Sequence, residues 1–95
     1  MNRDHPSQKI EVSQNQLIYL LDEQENTAGV IGCDESLTNV LIPKSIIYQD
    51  QEFIVKSINE KSFQFSKVTS VSFPPDSRLQ SIGQRAFYFS PIQKL

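Results

Sequence analysis

Apolar and polar positions cut the chain into short segments that change character every five to eight residues, the spacing of strands and turns rather than of long helices. "QLIYLL" (16–21) is aliphatic and aromatic, "DEQENT" (22–27) is polar, and "AGVIGC" (28–33) is apolar with small residues. This order predicts a β-hairpin, closed by "DES" (34–36). Beyond it the pattern begins to repeat. "LTNVLIP" (37–43) returns as "VTSVSFP" (68–74), so that Leu37, Val40 and Ile42 correspond to Val68, Val71 and Phe73, an offset of 31. "SINEKSFQFS" (57–66) returns as "SIGQRAFYFS" (81–90), pairing Ile58 with Ile82 and Phe63 with Phe87 at an offset of 24. Ile92 and Leu95 lie 24 residues after Val68 and Val71 and start the motif a third time.

The two offsets differ by seven residues (31 − 24), and the extra length falls between Pro43 and Val55. That stretch, "KSIIYQDQEFI", reads as two short strands around a "QDQ" turn, an inserted hairpin. Its counterpart in the second repeat is the shorter "PDSR" (75–78). A unit of this size cannot hide its own apolar side, and stacking on a neighbour solves the problem. Val68, Val71 and Phe73 then meet Leu37, Val40 and Ile42, while Ile58 and Ile82 fill the opposite wall and Phe63 and Phe87 cap it. Strands of successive coils pair side by side in parallel, about 4.8 Å apart. "NEKSF" and "GQRAF" are too short for an independent helix and read as single turns that aim the phenylalanine inward. Gly83, with Asn59 in its place one repeat earlier, is expected at a positive φ.

The expected division is a polar tail at 1–15, an N-terminal hairpin cap at 16–36, and repeats at 37–95. The repeats comprise 37–66 with the inserted hairpin, 67–90, and 91–95 as the start of a third. The expected fold is mainly β, a solenoid with parallel strand stacking and a hairpin cap. A coil left open at the C-terminal end carries bare apolar surface and unpaired strand groups, so self-association of an incomplete solenoid is expected there.

These motifs resemble BspA-type leucine-rich repeats, found in surface proteins of bacteria and parasitic protists. The resemblance rests on Val40–Leu41–Ile42–Pro43–Lys44–Ser45 leading to Ser57–Ile58 and Ser62–Phe63. It rests again on Phe73–Pro74 leading to Ser81–Ile82–Gly83 and Ala86–Phe87. It covers about 37–95. Ser62 stands where the family usually has alanine. Ser45 and Asp76 stand where ordinary leucine-rich repeats place an asparagine that satisfies turn backbone groups. The resemblance implies a non-catalytic protein-interaction or adhesion module of a surface antigen-like protein, with a protein or host-surface ligand. An intracellular protein-binding scaffold of the same fold is the alternative.

Composition adds exclusions. The chain has 95 residues, 38% of them hydrophobic, and a net charge of −2 from nine Lys and Arg against eleven Asp and Glu. No basic run marks a nucleic-acid partner. No apolar stretch approaches a membrane span, and "MNRDHPSQKIEVSQNQ" lacks the apolar core of a secretory signal, so surface location rests on the resemblance alone. Cys33 is the single cysteine, which excludes an intrachain disulfide and leaves no zinc set. Cys33 itself reads as a small half-buried residue. His5, the single histidine, lies in the expected tail and supports no acid–base pair. Asp22, Glu23 and Glu25 read as a solvated turn, and no cofactor, metal or catalytic set is expected. The residues between the apolar strand positions face out of a leucine-rich coil, which makes Asn39, Leu41, Ser70, Ser72 and Lys94 the candidate partner-binding face.

Overall fold

The structure, a computed structural model, describes residues 9–60 and 62–87. Among them lie eight strands and no helix. They are β1 (Lys9–Gln14), β2 (Leu17–Asp22), β3 (Thr27–Cys33), β4 (Asn39–Leu41), β5 (Ser45–Tyr48), β6 (Gln51–Ile58), β7 (Ser70–Ser72) and β8 (Ser81–Ile82). One sheet runs β1-β2-β3-β6-β5, with β8 also on β6, and β4 pairs with β7 in a second.

Residues 9–14, placed in the tail by the sequence reading, instead form β1, antiparallel to β2 over its whole length. "KIEVSQ" alternates, with Val12 buried and Ile10 half-buried, and its polar residues occupy the other face of an open sheet. The β1–β2 turn holds Asn15 and Gln16 at φ of 51° and 68°, and the β5–β6 turn holds Gln49 and Asp50 at 51° and 64°. Both are two-residue connections with both central residues left-handed, the arrangement that matches strand twist. The β2–β3 connection is held differently. The Asp22 carboxylate accepts from the amides of Gln24 and Glu25, and Asn26 takes the left-handed position. The acidic residues at 22–25 are thus turn residues, and Asp22 also pairs with Lys9 at 3.6 Å.

Two bulges curl the large sheet, one opposite Ile18/Tyr19 and one opposite Ala28/Gly29. The second inserts Lys56 and shifts the inward phase of β6, which buries Phe53 and Val55 and then Ile58. The curl brings the far edges together, and the Gln14 side-chain amide donates to the Ile47 carbonyl at 2.8 Å. The result is an open half-barrel.

The matched offsets of the sequence become hydrogen bonds. Val40 pairs with Val71 in parallel β4–β7, the Thr69 amide donates to Thr38, and the Ile42 amide donates to Ser72. On the other side β3, β6 and β8 run parallel. There the Asn59 amide donates to the Val30 carbonyl and the Gly83 amide to the Ile58 carbonyl. The core between holds Tyr19, Leu21, Val30, Ile42, Phe53, Val55, Ile58, Phe63 and Val68, each under 2% exposed. Phe63 and Phe87 stack with centroids 5.1 Å apart and planes within 2°.

Two expectations are corrected. Gly83 is not at a positive φ, nor is Asn59. Gly83 is small for another reason: a Cβ there would stand 2.7 Å from Glu60 Cα and 2.8 Å from the Asn59 carbonyl carbon, so the backbone at 83 lies directly on that at 59–60. Ile82 does not fill the wall as Ile58 does. It pairs with Ile58 but is 45% exposed, at the end of the β3–β6–β8 ladder where β8 pairs with no further described strand.

Candidate partner-binding face

β4 and β7 are three-residue strands whose central valines point into the core, Val40 at 4% exposure and Val71 at 3%. Alternation therefore turns the flanking residues outward. The register sets Asn39 beside Ser70 and Leu41 beside Ser72, so four of the five candidate residues share one surface. Lys94 lies outside the described residues, as do His5, Tyr88, Phe89 and the third motif at 91–95.

The serine hydroxyls on this face already have partners. Ser70 Oγ donates to Asn39 Oδ1 at 2.6 Å, and Ser72 Oγ sits 3.4 Å from the Val40 carbonyl oxygen. A third polar rung links Thr69 Oγ1 to the Thr38 carbonyl at 3.3 Å. These contacts tie β4 and its flank to β7. Leu41 is the apolar member, 60% exposed. The Lys44–Asp76 ion pair, 3.7 Å, ties the inserted segment to the "PDSR" loop. Asp76 therefore serves Lys44, and Ser45 Oγ donates to Glu52 at 2.7 Å; neither takes the turn-satisfying part of the asparagine it replaces.

Sequence reasoning missed a cavity beside this face. It holds about 280 Å³ between the β1–β2 turn and β4, and its walls include Asn15, Leu17, Tyr19, Leu37, Asn39 and Leu41. Asn15, at the end of the expected tail, and Gln16, at the start of the expected hairpin, carried no signal that they would stand beside β4. Burial pushes the Tyr19 hydroxyl up to about 12. A second hollow, about 370 Å³, includes Cys33, Ser62 and Phe65, the last 67% exposed and left-handed at φ 62°. Burial first, and the Asp34 charge second, push the Cys33 thiol up, so the reactive thiolate is disfavoured at neutral pH. The Asp34 carboxyl is held low by the Ser36 amide and then by its hydroxyl. Among the described residues no group of three His, Cys, Asp or Glu side chains is placed to hold a metal, and no helix is long and apolar enough to cross a membrane.

Among solved structures the chain is similar to a leucine-rich repeat protein from Bacteroides capillosus. The TM-score is 0.76 and the identity 28%, over 88% of this chain and 62% of that one. It is also similar to a leucine rich cell surface protein from Faecalibacterium prausnitzii, with a TM-score of 0.73 and 21% identity over 94% of this chain and 24% of that one. The chain thus spans less than two thirds of either neighbour's length. No protein-family model and no curated protein matches it. The fold is therefore that of leucine-rich repeat proteins, and the neighbours support the resemblance to the BspA type carried by Ser81–Ile82–Gly83 and Ala86–Phe87.

Proposed function

We propose that the chain is an adhesion and protein-binding module of a leucine-rich repeat surface protein. In this reading it is a short solenoid. β4–β7 is one wall and the β3–β6–β8 ladder the other. Hairpin β2–β3, widened by β1, covers the first coil. The binding face is Asn39, Leu41, Ser70, Ser72 and, by its repeat position, Lys94. The observation that carries the reading is the β4–β7 register, which sets Leu41 beside Ser72 and Asn39 beside Ser70 on one outward surface. Repeat proteins bind on such extended faces. A surface location is supported by the name of the Faecalibacterium neighbour, a cell surface protein.

The test is adhesion of chain-coated beads to immobilised extracellular proteins and to cultured cells. Ser70→Asp with Ser72→Asp is expected to weaken capture about tenfold or more while the fold is retained. Equal capture by the variant and the parent would show that the face is not the site. A second reading, association with another copy, is favoured by the exposed Ile82 of β8. Sedimentation checks it, and a single monomeric species at high concentration would rule it out.

A further inference from the structure

Tyr19 is 1% exposed, yet no protein group among the described residues is hydrogen-bonded to its hydroxyl. Buried hydroxyls are rarely left so, because the lost hydration is not replaced. Tyr19 lines the 280 Å³ cavity beside β4. Among the described residues no charged side chain lies in its wall, and its polar side chains besides Tyr19 are the amides of Asn15, Gln16 and Asn39.

Among the described residues the adjoining edge of β4 is also unpaired. In the parallel ladder to β7, the Thr38 carbonyl, the Val40 carbonyl and the Ile42 amide face the partner strand. Alternation turns the amides and carbonyls of Asn39 and Leu41 the other way, towards the cavity side, and no backbone group meets them. Two donors and two acceptors thus stand in a row beside a hollow that Tyr19 lines.

We infer that this edge takes an extended peptide segment of a partner protein as an added strand, with an uncharged amide side chain, Gln or Asn, entering the cavity. The inference rests on the protein-binding reading and gives it a mode. Strand addition supplies affinity through main-chain hydrogen bonds and specificity through a pocket for an alternate side chain. An amide fits this pocket on chemistry. Its carbonyl accepts from the Tyr19 hydroxyl, and its NH₂ donates to the amide oxygens of the wall. A carboxylate would be desolvated there without a countercharge, and a leucine would leave the hydroxyl unpaired.

The test uses the full chain labelled with ¹⁵N and three capped peptides: acetyl-Thr-Val-Gln-Val-Thr-amide, the same with Leu for Gln, and the Gln peptide with N-methylated backbone. The Gln peptide is expected to shift the Asn39 and Leu41 amide signals saturably. The Leu peptide is expected to bind roughly fivefold more weakly, the scale of one hydrogen bond. Tyr19→Phe should abolish that preference, and N-methylation should abolish binding. No saturable shift, or equal affinity for the Gln and Leu peptides in the parent chain, overturns the inference, and neither comparison needs the variant to fold. Of the two serines of the bead assay, Ser70 bonds Asn39 Oδ1 in the cavity wall, so the comparison between the two assays uses Ser72→Asp alone. Peptide failure with intact serine-dependent adhesion removes the edge inference alone, and lost serine dependence with peptide binding intact removes the face alone.

Discussion

At the scale of single residues, Gly83 and Tyr19 carry the sharpest consequences. Gly83→Ala keeps an ordinary backbone conformation but drives a Cβ into the Asn59–Glu60 backbone, which cannot move as a side chain can. It is expected to cost about 1–3 kcal/mol, as overpacking does. Gly32→Ala meets only the flexible tip of Ile18 at 3.3 Å and should cost less than about 1 kcal/mol. Urea midpoints of the two variants check the contrast; equal midpoints would mean that residue 83 does not press on the 59–60 backbone. Tyr19→Phe removes an unpartnered hydroxyl and should leave stability at neutral pH unchanged or slightly raised. The folded-state value lies above the ordinary 10.0, at about 12. The Tyr19 contribution is therefore complete below pH 10 and lost as pH rises towards 12, where the unfolded chain ionises first. Urea melts across that window should show the parent falling away from Tyr19→Phe; parallel loss in both would contradict the burial of the hydroxyl.

At the scale of elements, the legible part of the sequence was the part with apolar period. The offsets of 31 and 24 reappear as Val40–Val71 and Ile58–Ile82, and the seven-residue excess is the β5–β6 hairpin. β1 escaped because only Ile10 and Val12 mark it, and a strand on an open sheet needs no more. Glycine most often serves freedom of φ, whereas the cause at Gly83 is close backbone approach, which no local pattern signals. The cavity beside β4 was illegible because it depends on how residues 15–19 fold over 37–43, a placement no local pattern encodes. Two further expectations belong here. The left-handed Gln16 and Asp50 are strained choices for their turns. Gln16→Gly and Asp50→Gly should each raise stability by about 0.5–1 kcal/mol, read as a higher melting temperature. A lower one would mean that the turns are not of this type. Phe63→Ala, at a fully buried position, should cost about 3–5 kcal/mol. Phe87→Ala, at a partly buried one, should cost less, and the pair should couple by about 0.5–1.5 kcal/mol in a double-mutant cycle.

At the scale of the molecule, the half-barrel and the two-stranded sheet share one core, and everything proposed about binding depends on how they meet. If the coils stack as proposed, the 31-residue offset is a physical distance of one strand spacing on one wall, and the 24-residue offset is the same on the other. The face and the edge of β4 follow from that arrangement, since it turns Asn39 and Leu41 side chains outward and their backbone groups away from β7. The most direct measurement is a methyl and amide NOE spectrum of the full chain. The account predicts cross-peaks between the Val40 and Val71 methyls and between the Ile58 and Gly83 backbones, across offsets of 31 and 25 residues. Absence of both, with Val40 and Val71 each contacting unrelated segments, would contradict it.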